Sequence, residues 1–107
     1  MRASATTETY QTLDIKPAAP WRVFGIKVES AYRLEVFFMD GSSGWVDLGL
    51  WLRSKRIDGS IFEPLRGEDF FRRAEVALGA ITWPNGADLP PDVIYDAIRL
   101  GGIWQPT

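Results

Sequence analysis

Histidine and cysteine are both missing from this 107-residue chain. Without cysteine there is no disulfide frame, no thiol nucleophile and no thiolate metal site. Without histidine the chain lacks the commonest general base, the usual catalytic triads and most transition-metal sites. No apolar run approaches about 18 residues, so no transmembrane helix is expected. Residues 1–8 also lack the apolar stretch of a signal peptide. Gly41, Gly44 and Gly49 do not lead into a helix at the spacing a phosphate loop needs. Nor is there an internal repeat at solenoid periods. Neither sign of charge dominates: 12 basic and 14 acidic side chains leave a formal charge of −2. That balance argues against nucleic acid as the main partner. Together these absences fit a cytoplasmic protein and exclude most catalytic chemistry.

What the chain does have is apolar and aromatic mass. Its hydrophobic fraction is 46%, with six Phe, five Trp and three Tyr, enough for one core. One α+β domain is therefore expected over residues 21–100. Residues 1–20, rich in Ala, Thr and Pro, read as a flexible arm, with a short edge strand at Tyr10 to Ile15 as the alternative. Residues 101–107 read as a tail.

Within the domain, Arg22 to Val28 alternates in polarity and predicts a first strand. Tyr32 to Met39 predicts a second. The Asp40-Gly41-Ser42-Ser43-Gly44 loop then turns the chain into a third strand near Trp45 to Leu48. Short loops between these make an antiparallel meander. Leu48 to Leu52 predicts a short helix or turn, and Glu68 to Arg73 a short helix with acids first and bases last. Glu75 to Leu78 and Ala80 to Trp83 form a hairpin across Gly79. The fold expected is thus a mostly antiparallel sheet of about five strands, meander plus hairpin. A C-terminal helix packs on one of its faces.

The stretch from Ile81 to Leu89 organises the C-terminal half. Ile81, Thr82 and Trp83 favour a strand, and Pro84 suits position i+1 of a turn from Trp83 to Gly86. On this reading Trp83 is largely buried and Gly86 has a positive φ. Pro91 fits the first helical position, and Val93, Ile94, Ala97 and Ile98 form an apolar stripe up to the stop at Gly101-Gly102. Asp88 is ill placed to cap this helix, because Pro90 and Pro91 carry no N–H. An Asx-type contact within its own turn is expected instead.

Asp88, Asp92 and Asp96 are the one acidic cluster, read as solvated surface rather than as a metal site. Arg53, Lys55 and Arg56, with Arg66, Arg72 and Arg73, are the basic one, and lack the aromatic interleaving of a nucleic-acid surface.

Two strings carry a resemblance. TWPNGADLPPDVIYDAI and YRLEVFFMDGSSGWVDL are similar to the two hallmarks of the small bacterial family called domain of unknown function 2442. Ile61-Phe62-Glu63-Pro64-Leu65 resembles that family's link into a short helix. The likeness spans roughly residues 21 to 98. One departure is Pro90, where members commonly carry an acid, which weakens the helix cap but not the fold expectation. The resemblance implies no established activity. It implies a gene often paired with another small gene in toxin–antitoxin arrangements.

The expected function is therefore a non-enzymatic interaction or regulatory module, an antitoxin-like partner of a second small protein or of itself. No catalytic residue, cofactor or metal is assigned. The candidate partner-binding residues are Trp83, Asn85, Asp88, Tyr95 and Trp104. Trp104 is read either as covering its own sheet or helix, or as anchoring another chain. The alternative function is a small-molecule- or metal-dependent enzyme using carboxylates and arginines.

Overall fold

The computed structural model describes residues 19–107. Apart from its last two residues, the expected arm, with the Tyr10 to Ile15 alternative, lies outside them.

Three strands form the meander: β1 (Val23–Glu29), β2 (Arg33–Phe38) and β3 (Ser43–Asp47). Both pairings are antiparallel. Alternation decides their faces: Leu34, Val36, Phe38, Gly44 and Val46 are buried, while Arg33, Glu35, Phe37, Trp45 and Asp47 take the other side. Two short helices follow, α1 (Gly49–Leu52) and α2 (Glu68–Phe71). Between them lie two single 3₁₀ turns, Lys55–Ile57 and Glu63–Arg66.

β4 (Glu75–Ala77) and β5 (Ala80–Thr82) make the expected hairpin. α3 (Pro91–Gly101) opens with proline at its start and ends on Gly102, which takes the left-handed cap conformation. The buried stripe Ile94, Tyr95 and Ile98 faces the sheet. Ile98 lies directly against Gly44 of β3, where any β-carbon would meet Ile98 Cγ2 at 2.6 Å. The bare backbone of Gly44 is thus what lets α3 approach β3 so closely.

One expectation about the sheet needs correcting. The five-stranded, mostly antiparallel sheet is instead a mixed four-stranded sheet, in which β1, β2 and β3 are followed at the edge by β6 (Ile103–Trp104), plus a separate two-stranded one. β4 runs beside β1, yet among the described residues the Val23 amide bonds to Gly79 O (2.9 Å) without a ladder forming. The physical reason is a bulge between Val23 and Gly25, which distorts the edge of β1 just where the hairpin meets it. The tail, read either as covering its own sheet or helix or as anchoring another chain, joins the sheet: β6 pairs in parallel with Trp45 and Val46. The cap at Gly102 redirects the chain, and its carbonyl accepts the Trp45 amide at 3.0 Å, which sets that register.

One core joins these pieces. Leu34, Val36 and Val46 of the sheet meet Leu48, Leu52, Leu65, Phe71, Ile81, Trp83, Leu89 and Ile94. No helix among the described residues is long and apolar enough to cross a membrane.

Candidate functional site

The turn after β5 takes the expected form. The Gly86 amide donates to Trp83 O (3.0 Å), and Gly86 has φ of +93°. Trp83 is 2% exposed, and its indole N–H donates to the carbonyl of Phe71 at 3.0 Å. It therefore fastens α2 to the turn and offers no surface to a partner. Asn85 is exposed and bridges: its amide donates to Ile61 O (2.9 Å) while its Oδ1 accepts the Ala87 N–H (3.1 Å). So among the described residues Asn85, not Asp88, makes the Asx contact of this turn. Having its oxygen two residues before a free amide is what gives Asn85 the better geometry. Asp88 points to solvent, and its backbone bridges to Thr82.

Tyr95 is also spoken for. It is 7% exposed, packs edge-on to Phe38 with ring centres 5.1 Å apart, and donates its hydroxyl to Asp40 Oδ2 at 2.6 Å. Asp40 Oδ1 accepts both the hydroxyl (2.6 Å) and the amide (2.9 Å) of Ser42. The Ser42 hydroxyl first, then Tyr95 and the Ser42 amide, hold the Asp40 carboxyl down at about 2. The hydrogen bond to Asp40 in turn raises the Tyr95 phenol. This network ties the β2–β3 loop to α3. Trp104 is half-buried on the sheet edge, packed against the core. Two of the five candidates, Trp83 and Tyr95, are therefore closed to a partner, two stand in an exposed turn, and Trp104 covers its own sheet.

The charged clusters are equally definite. Asp88, Asp92 and Asp96 are all exposed. Among the described residues no three such side chains come together as metal ligands. Arg66 turns inward, donating to Leu52 O (2.6 Å) and Ser54 O (3.1 Å) and pairing with Asp58 at 2.7 Å. That leaves Arg53, Lys55 and Arg56 exposed beside it. A small cleft lies between Ala31, Tyr32, Glu68, Phe71 and Arg72. Its free space is about 10 Å³, room for about one water.

The surface feature that stands out was not singled out from the sequence. It lies where β1 begins and the β4–β5 hairpin ends. Leu78 occupies the hairpin tip with φ of +53°, followed by Gly79 at +78° and flanked by the Ala77–Ala80 pair. Positive φ at both central residues is the type I′ pattern, whose first position favours Asn, Asp or Gly. Leucine there is strained, and it is also 93% exposed. Gly79 O accepts the Val23 amide, and Met39 N donates to Arg22 O (2.9 Å), so three chain segments meet at this end. Phe24, the extra residue of the bulge, is 72% exposed, and Trp21 and Met39 are nearly half exposed. Together the four side chains leave on the order of 500 Å² of apolar surface exposed around this end of the molecule. Arg22 lies across Gly79 at its rim. The sequence signal was present: a Leu-Gly pair at a hairpin tip, where Asn-Gly or Asp-Gly is the favoured choice.

Fold and site together define a small α+β module with a half-covered mixed sheet, one C-terminal helix and an apolar tip. The profile of the family described as protein of unknown function (DUF2442) matches residues 23–99, and the chain belongs to that family. Neither a curated protein nor a solved structure matches the chain.

Proposed function

We propose that this chain is a non-enzymatic protein-interaction module, an antitoxin-like regulatory partner of a second small bacterial protein in the cytoplasm. The observation that carries the reading is Leu78. A branched apolar residue in a left-handed turn costs the fold about 1–2 kcal/mol, and full exposure returns nothing to it. Local rules broken without internal compensation mark residues kept for function. Phe24, Trp21 and Met39 beside it supply the aromatic and flexible apolar side chains enriched in interface cores. Asn85 and Asp88 lie in a separate exposed turn and are polar contacts of secondary weight.

Co-expression with the product of the neighbouring gene tests this. The parent chain is expected to co-purify with it, and Leu78→Asp to lose the partner while melting no lower than the parent. A partner retained by both Leu78→Asp and Phe24→Asp would remove the tip from the argument.

A further inference from the structure

We infer that the open edge of β1 is a docking site for the chain's own residues 13–15, which precede the described residues and add a strand antiparallel to it. Ile15 then stands opposite Ile26, Asp14 opposite Lys27 and Leu13 opposite Val28.

The edge can be read from the hydrogen bonds. In β2 the Phe38 amide bonds to Ser42 O on the β3 side, and the Met39 amide bonds to Arg22 O on the other. Main-chain groups alternate along a strand, so Phe37, Glu35 and Arg33 bond toward β1. Their partners there are Gly25, Lys27 and Glu29, which leaves the N–H and C=O of Ile26 and Val28 turned outward. Among the described residues no strand pairs with β1 on that side, and the β4–β5 hairpin bonds only at its Val23 end. Such an edge is a template for one more strand. Its core side is open too. Ile26 and Val28 share a face with the fully buried Val36 and Leu34, yet are themselves only half-buried.

The path of the chain brings the occupant to this edge. The Arg22 amide bonds back to Ala19 O (3.1 Å), a β-turn immediately before β1. Counting outward from that turn in both directions sets Ile15 opposite Ile26, each four residues away, at about 3.3 Å per residue. Side chains agree with this register. Leu13 and Ile15 extend the core side beside Val28 and Ile26. Asp14 meets Lys27 on the outer face, where Lys27 already has Glu35 opposite it on β2. A shift of two residues would bring Pro17, which has no N–H, opposite Ile26, or Gln11 opposite Val28. A shift of one would turn Leu13 and Ile15 to the outer face. Being tethered, these residues stand at an effective concentration on the order of mM, ahead of any strand from another chain. They close the edge against pairing with other molecules.

The chain has no cysteine, so two introduced ones report only on each other. Asp14→Cys with Lys27→Cys fills a pair without ladder bonds, where Cα atoms lie about 4.5 Å apart, within disulfide range. With oxidised glutathione it is expected to close within one chain. Thr12→Cys with Lys27→Cys, a diagonal pair about 7–8 Å apart, is expected to close at least about tenfold more slowly. In the full chain, hydrogen exchange at the Ile26 and Val28 amides is expected to be slowed about 100-fold or more against exposed amides. Leu13→Pro removes the donor opposite Val28 and should return the Val28 amide to fast exchange. Fast exchange at both amides in the parent would overturn the inference, as would disulfides formed only between chains. So would a Thr12 pair that closes as fast as the Asp14 pair, or Val28 protection that survives Leu13→Pro.

Discussion

Replacing Gly44 by alanine asks whether the contact between α3 and the sheet is as tight as the geometry requires. The new β-carbon would stand 2.6 Å from Ile98 Cγ2, 2.8 Å from Ile98 Cγ1 and 2.8 Å from the carbonyl oxygen of Gly102. Real β-carbons do not approach that closely, so something must move. Ile98 cannot swing away, because it is 6% exposed and enclosed by the core. The Gly102 carbonyl cannot retreat without stretching its 3.0 Å bond from the Trp45 amide, the bond that seats β6. Overpacking of this kind costs about 1–3 kcal/mol, and two immovable neighbours put Gly44→Ala at the upper end. Alanine's lower unfolded-state entropy returns about 0.5–1 kcal/mol, leaving a net loss of about 2 kcal/mol. For a domain of this size that lowers the melting temperature by roughly 8–16 °C. Thermal denaturation followed by circular dichroism measures it. A double-mutant cycle with Ile98→Ala adds a specific check, since that change removes both Cγ atoms. The coupling between the two sites should be about 1 kcal/mol or more. A Gly44→Ala protein melting with the parent would refute the reasoning. So would an equal loss in the Ile98→Ala background.

Three further outcomes follow from the same structure. Trp83→Phe removes the indole donor from the Phe71 carbonyl, which keeps the Ala74 amide (3.2 Å), and leaves a small void in the core; it should cost about 1–2 kcal/mol in urea denaturation. The Asp40 carboxyl is held at about 2, below its ordinary 3.8, so its stabilisation is present above pH 3.8 and lost as pH falls through about 2. Acid denaturation curves of Asp40→Asn and Tyr95→Phe should therefore be flatter than the parent's between those values. Because the Tyr95 phenol is raised, its own contribution is present below pH 10 and lost on going above its shifted value. Trp104→Ala should lower stability by about 1–2 kcal/mol, as expected for a half-buried aromatic. It should leave the oligomeric state alone, because Trp104 lies on the sheet edge and not at the tip.

Much of this fold was legible from one dimension. Period-2 alternation in Arg33–Phe38, proline at the start of α3, glycine at its end and the Trp-Pro-Asn-Gly turn are all local signals. Local signals survive in sequence because each depends on residues within a few positions of one another. The burial of Trp83 and the positive φ of Gly86 belong to the same class. Tertiary structure decided what depends on distant partners. Ile103 and Trp104 are too few to read as a strand, and become one only because the Gly102 carbonyl reaches the Trp45 amide. The β4–β5 hairpin, legible as a hairpin, stays out of the main sheet beside a bulge at Phe24; Gly25 and the Val23-Phe24 pair mark the irregularity locally, but not which strand would lie beside it. Asn85 takes the Asx contact from Asp88 for want of a suitably placed amide, and Tyr95 is claimed by Asp40, 55 residues away. Leu78, Phe24, Trp21 and Met39 lie in three separate stretches, which backbone bonds from Val23 to Gly79 and from Met39 to Arg22 bring to one end of the molecule. Periodicity reports which residues turn inward; it cannot report which outward-facing residues of separate strands will be neighbours, because that depends on register and on the path of the chain between them.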